Sequence, residues 1–216
     1  ANMMAFTLTH ETLVEVDPDT NEVIPGMAKS WTVSDDGCTF TFEIPDNVKF
    51  TDGSPCTASD IKYTFERAKE SSFTKTKVEL VTDMQVVDDT HIAITISKPS
   101  QDFLLLLAHQ SMSILSEALT TSDEFGYQIG TGRFAVEEWI PGDQISFVRS
   151  EYFYGEPAPT NKIIFRLIKE EASRLIALQT GEIDVCVDPL NTDLGYIEDD
   201  EKLELIKVPN YVLLYL

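Results

Sequence analysis

The residues of this chain able to do catalysis or bind metal are three histidines, three cysteines and many clustered carboxylates. No two of His10, His91 and His109 stand at metal-ligand spacing, so each reads as a surface or packing residue. Cys38, Cys56 and Cys186 form neither a disulfide framework nor a zinc pattern. Cys38 shares the apolar face of a strand with Phe40, Phe42 and Ile44, and Cys56 precedes a helix cap, where it can staple onto Ile61. All three thiols therefore read as small packing groups. Glycosidase chemistry needs two carboxylates in one cleft with divergent proton affinities. Asp35-Asp36, Asp88-Asp89 and Glu198-Asp199-Asp200-Glu201 lie instead at turns, as a solvated surface would. Gly130-Thr131-Gly132 leads into a strand, whereas a phosphate loop needs a helix N-terminus behind its glycines. No serine stands in a nucleophile elbow, and no cysteine–histidine pairing is visible.

The elements that would carry these residues are short and mixed. Leu8 to Val16 is modestly apolar and ends in the turn Asp17-Pro18-Asp19. After Ser34-Asp35-Asp36-Gly37 the alternation of Phe40, Phe42 and Ile44 predicts a half-buried strand. Thr57, with Asp60 three residues on, predicts the capped start of a helix to about Lys69, with Ile61, Phe65 and Ala68 on one face. Met84 to Val87 and Ile92 to Ile96 read as a hairpin across Asp88-Asp89. Helices are expected at Phe103 to Ala108, Ser116 to Asp123 and Glu171 to Thr180, the last stopped by Gly181. A strand from Gly130 through Ile140 should turn at Pro141-Gly142-Asp143 into Gln144 to Arg149. Further strands are expected at Ile163 to Ile168, Ile183 to Val187, Glu204 to Val208 and Tyr211 to Leu216. The class is α/β (mixed α+β), with much antiparallel pairing.

The chain has 216 residues, 43% hydrophobic and 25% charged, which is ample material for a globular core. Its formal charge of −21 repels phosphate backbones and anionic lipid, disfavouring nucleic-acid and membrane-surface partners. The charge serves solubility, or attracts cationic solutes. No apolar run approaches the roughly 20 residues that span a bilayer. The chain opens on Ala1-Asn2-Met3-Met4, without a signal-peptide pattern. It closes inside the apolar run 211–216, which is expected of a cut through a longer protein.

Four blocks carry a resemblance. They are Val23-Ile24-Pro25-Gly26-Met27-Ala28-Lys29-Ser30-Trp31 with the Asp36-Gly37 turn and Thr39-Phe40-Thr41-Phe42; Val48-Lys49-Phe50-Thr51-Asp52-Gly53 leading to Thr57-Ala58; Gly130-Thr131-Gly132-Arg133-Phe134 with Trp139, Pro141-Gly142 and Tyr152-Phe153-Tyr154-Gly155; and Ala177-Leu178-Gln179-Thr180-Gly181-Glu182-Ile183-Asp184. In this order they resemble the peptide-binding family of ABC importer receptors, the dipeptide, oligopeptide and nickel-binding group. Arg133 stands where the family has proline, Phe134 where it has tyrosine, and Tyr152-Phe153 where a tyrosine–tryptophan pair is usual.

The resemblance implies a two-lobed, hinged receptor of the type II periplasmic-binding-protein fold that holds solute without making or breaking bonds. It implies that residues 1–21 and 130–216 belong to the first lobe, 22–129 to an inserted smaller subdomain, and that the second lobe is absent. By location it places solute contacts at Asn2, Met3 and Met4, at Asp188 and Asn191, and at Asn210, Tyr211 and Tyr215. Met3 and Met4 would supply an adaptable apolar wall, and Asp188 would receive a cationic group. The implied partners are a peptide or other small solute and the permease subunits of an ABC importer, with no cofactor or metal, a monomeric state, and an extracytoplasmic location, periplasmic or lipid-anchored. The rival readings are a carbohydrate-active hydrolase and a non-catalytic surface domain.

Overall fold

A computed structural model describes residues 2–122 and 128–207, with side chains over 5–121 and 128–207. Two compact units follow one another along the chain, residues 1–165 and 166–216.

The first unit begins with helix α1 (Asn2–Thr9), followed by strands β1 (Val14–Val16) and β2 (Val23–Pro25), which pair antiparallel. The apolar stretch Leu8 to Val16 is thus divided between a helix end and a strand. Next come β3 (Ser30–Val33), β4 (Thr39–Glu43), helix α2 (Ala58–Glu70), β5 (Val81–Val86) and β6 (His91–Ile96). The four strands form an antiparallel sheet in the order β3-β4-β6-β5.

Alternation explains its inner face. Phe40 pairs with Ile94 and Phe42 with Ile92, and all four side chains are buried. Helix α2 covers that face with Ile61, Phe65 and Ala68, spaced one helical turn apart. Its start is fixed as expected: the Thr57 N–H donates to Asp60 Oδ2 at 2.9 Å, and the Thr57 hydroxyl donates to the same oxygen at 3.2 Å. Cys56 and Ile61 are both buried across this cap, the stapled arrangement anticipated for them. Helix α3 (Phe103–Leu107) closes the core with Phe103, whose ring lies 4.9 Å from that of Phe40, and Leu107. Helix α4 (Glu117–Ser122) follows.

A second, smaller core lies under strands β7 (Phe134–Ile140), β8 (Gln144–Arg149) and β9 (Lys162–Arg166), adjacent in that order. Phe134, Phe147 and Ala158 are its buried residues, and Ala5 and Leu8 of α1 pack against them. The β7–β8 turn uses Gly142 at φ 82°, a left-handed conformation that suits glycine. The strand expected to start at Gly130 starts at Phe134 instead. The cause is steric: residues 130–132 cross the end of α1 so closely that a Cβ on Gly132 would stand 2.5 Å from the Thr9 carbonyl carbon. That crossing takes the backbone out of any ladder.

The second unit holds helices α5 (Glu171–Gln179) and α6 (Leu194–Glu198). Helix α5 ends at Gly181, at φ 75°, as its sequence anticipates. Residues 183–187 and 204–207, expected as strands, are irregular. A strand is stable only beside another strand, and no described residues of this unit supply one. Val185 and Val187 are exposed, so the apolar pattern there buries nothing within the unit. The expected strand 211–216 lies outside the described residues.

Candidate functional site

Asn2, Met3 and Met4 form the first turn of α1. The helix is positioned from its other end. The Gly132 N–H donates to the Thr9 carbonyl at 2.9 Å, and the Gly130 carbonyl accepts from the Thr51 N–H at 2.8 Å. Ala5 and Leu8 anchor it on the β7–β9 core, and Phe6 stacks on His10 with ring centroids 4.5 Å apart. A candidate contact turn is thereby mounted on a helix held by packing and by two glycines.

Asp188 and Asn191 share one exposed loop of the second unit. Asp188 adopts a left-handed φ of 51°, which aspartate tolerates better than most residues, and its carbonyl accepts from Arg174 at 3.3 Å. Asn191 opens a short 3-10 turn through Asp193. Asn210, Tyr211 and Tyr215 lie outside the described residues. The structure therefore places three of the candidates in one turn of the first unit and two in one loop of the second.

The histidines fill packing and turn roles. His91 Nδ1 meets Asp88 Oδ1 at 2.9 Å, and that hydrogen bond, with those from Thr90, holds the Asp88 carboxyl down at about 2. His109 accepts from the Ser111 N–H at 3.1 Å, capping a 3-10 turn. His10 is buried, and the loss of solvent pushes its pKa down to about 4. Among the described residues, no group of three His, Cys, Asp or Glu side chains could hold a metal ion. No described helix is long and apolar enough to cross a membrane.

Sequence reasoning did not single out a buried polar cluster beside α1. Glu11 Oε1 accepts from the Tyr154 hydroxyl at 3.1 Å, a pairing across 143 residues of chain. Burial pushes the Glu11 carboxyl up to about 7, against the smaller opposing effects of the Tyr154 and Thr131 hydroxyls. No local pattern could have flagged this pair, because each partner reads alone as an ordinary surface residue.

A shallow cleft of about 580 Å³ runs along the end of β8, lined by Arg149, Ser150, Phe153 and Asn161 among others.

Comparison with known proteins agrees with the four motif blocks. The profile of the bacterial extracellular solute-binding proteins, family 5 (middle region), matches residues 22–216. A probable D,D-dipeptide-binding periplasmic protein of Escherichia coli K12 is 30% identical over 215 aligned residues, covering 93% of this chain and 40% of that protein. The nickel-binding periplasmic protein of the same strain is 31% identical, over 85% of this chain and 36% of its own length. Among solved structures, the nickel ABC transporter protein of Bacillus halodurans superposes with a TM-score of 0.80 at 25% identity, covering 93% of this chain and 42% of that one. NikZ of Campylobacter jejuni, solved with Ni(L-His), gives a TM-score of 0.78 at 26% identity, over 90% of this chain and 40% of that one. The chain thus spans about 40% of the length of the relatives it matches. Its mixed α/β architecture is that of type II periplasmic binding proteins, and the chain belongs to the bacterial extracellular solute-binding proteins of family 5.

Proposed function

We propose that this chain is first-lobe sequence of a receptor that binds peptides or similar small solutes outside the cytoplasmic membrane. The receptor hands its solute to the permease of an ABC importer. The observation that carries this reading is the family match over residues 22–216, whose relatives are named for dipeptides and for nickel. Their periplasmic names support an extracytoplasmic place for this protein too. Binding without turnover and a monomeric state belong to the same reading.

Residues 1–21 and 130–216 are assigned to the lobe and 22–129 to the inserted subdomain. Two observations support the assignment. Apart from Leu13 and Val14, the buried residues of the larger core lie between Met27 and Ile114, and the smaller core joins α1 to residues 134–165. Solute contacts are assigned to Asn2, Met3 and Met4, to Asp188 and Asn191, and to Asn210, Tyr211 and Tyr215. The left-handed backbone at Asp188 supports its part, since conformations that cost energy concentrate at binding loops.

The test is calorimetric titration of the full-length receptor with di- to hexapeptides. Saturable binding of micromolar strength, about −8 kcal/mol, is expected. Asp188→Asn should weaken it for ligands with a free amino group and leave amino-blocked ligands unchanged. Absence of heat with peptides, then with nickel chelates, haem and oligosaccharides, would overturn the receptor reading.

A further inference from the structure

The cluster around Glu11 buries one carboxyl oxygen away from solvent, and that burial favours the neutral acid over the carboxylate. An ionised carboxylate accepts at several lone-pair sites and, when buried, needs donors or a cation for them. Glu11 has one well-formed donor, the Tyr154 hydroxyl on Oε1. Its Oε2 is buried without a partner, and so is the Thr131 hydroxyl oxygen, on a residue 1% exposed. Thr131 is near enough to act on the Glu11 carboxyl without closing a bond of good geometry.

The charged and titratable neighbours are divided over ionisation. Glu15 of β1 presents a like charge. Arg133, just before β7, acts on Glu11 more weakly than the hydroxyls do. It lies 5.0 Å over the Phe153 ring and donates to the Glu156 carbonyl at 3.0 Å. Cys56, ahead of α2, is a buried thiol on the same cluster. His10, next in the chain, shares a 2.7 Å hydrogen bond between its Nδ1 and the Thr9 hydroxyl, and burial disfavours its charged form.

We propose that Glu11 is held as a neutral acid whose Oε2 proton points at the Thr131 hydroxyl, and that this proton latches the exit of α1 onto the Gly130–Gly132 crossing. In the neutral acid Oε2 donates to the Thr131 oxygen, whereas in the ion the Thr131 hydroxyl must turn to donate to Oε2. The latch joins residues 9–12 to residues 130–132, to Tyr154 and, through the backbone, to Ile114. Its backbone seam is the bond from Gly132 N–H to the Thr9 carbonyl and the one from Ile114 N–H to the Glu11 carbonyl. When Glu11 ionises, a charge must be held dry between neutral hydroxyls, and hydrating it requires the crossing to loosen. The proposal is independent of which solute the protein binds, or of whether it binds one.

Two readouts on the full-length protein test it. Infrared difference spectra, wild type minus Glu11→Gln, should show a protonated-carboxyl band that titrates near pH 7, where the carboxyl is held. Hydrogen exchange of a peptide covering Gly130–Arg133 should lose protection above that pH in the wild type and keep it in Glu11→Gln. Tyr154→Phe, which keeps the ring, should move the infrared midpoint upward by removing the donor that favours the ion. A midpoint in the ordinary carboxylate range, an unmoved midpoint in Tyr154→Phe, or equal protection of the crossing in wild type and Glu11→Gln would each overturn the latch.

Discussion

The two units put similar raw material to different use. In the first, apolar residues recur at strand or helix spacing, and almost every such stripe finds a partner inside the unit: Phe40 and Phe42 meet Ile94 and Ile92, and Ile61 and Phe65 close over them. In the second, Ala177 and Ile197 are the only buried apolar residues among those described, while Ile176, Val185, Tyr196 and Ile206 are each more than half exposed. A pattern in sequence therefore specifies a face, and a second face decides whether that face becomes a core.

Substitution is the most direct way to break this contrast. Phe42→Ala empties a fully buried site in a central strand and should cost about 3–5 kcal/mol in thermal unfolding. A loss below about 1 kcal/mol would show that the first core is loosely packed.

The pH dependence of the first unit should come next in size. His10 has a pKa near 4, below the usual 6.5, so the unfolded chain takes up a proton first as pH falls. Stability from His10 is thus present above 6.5 and lost toward 4. Glu11 behaves oppositely: its carboxyl, raised from 4.5 to about 7, contributes stability below 4.5 that is lost as pH rises to 7. The shifts correspond to about 3 kcal/mol each and nearly cancel between pH 4.5 and 6.5. Glu11→Gln should uncover the His10 loss as a steeper fall in melting temperature on acidification. Parallel profiles for the two proteins would show that the groups do not offset one another.

The same substitution at two glycines sharpens the comparison further. Gly132→Ala forces a Cβ against the Thr9 backbone and should cost about 3 kcal/mol. Gly195→Ala, in α6 with nothing within 4 Å of its Cβ, should add about 0.5–1 kcal/mol by restricting the unfolded chain. Denaturant midpoints read both, and a common sign would contradict the contrast. Smallest of all, Tyr196→Ala on the 70% exposed ring should change stability by less than about 0.5 kcal/mol.

What was legible in sequence follows the same division. The Thr57–Asp60 cap, the hairpin at Asp88-Asp89 and the stop at Gly181 are signals within a few residues, and each forms where expected. The crossing at Gly130–Gly132 reads as a strand start because its cause, the backbone of Thr9 and His10, lies more than a hundred residues away. Residues 183–187 read as a strand because alternation cannot say whether a neighbour exists. Of the candidate contacts, Asn2 to Met4 and the Asp188–Asn191 loop are named through resemblance alone. Nothing in their residue types marks them, since methionine and asparagine also fill ordinary helix and loop positions. The pairing of Glu11 with Tyr154 gave no sign, because a carboxyl shielded from solvent is disclosed only by its surroundings.

The three cysteines differ in what reagents can do to them. Cys56 is buried, and loss of solvent raises its thiol well above the usual range, so little thiolate exists to react at neutral pH. Cys38 and Cys186 are half-buried, one in each unit. A maleimide dye or nitroxide should therefore mark the native protein once per unit, leaving the third thiol silent. These two thiols form a two-point ruler within the 216 residues, and pulsed spin or fluorescence-transfer distances between labels on them would follow the two units.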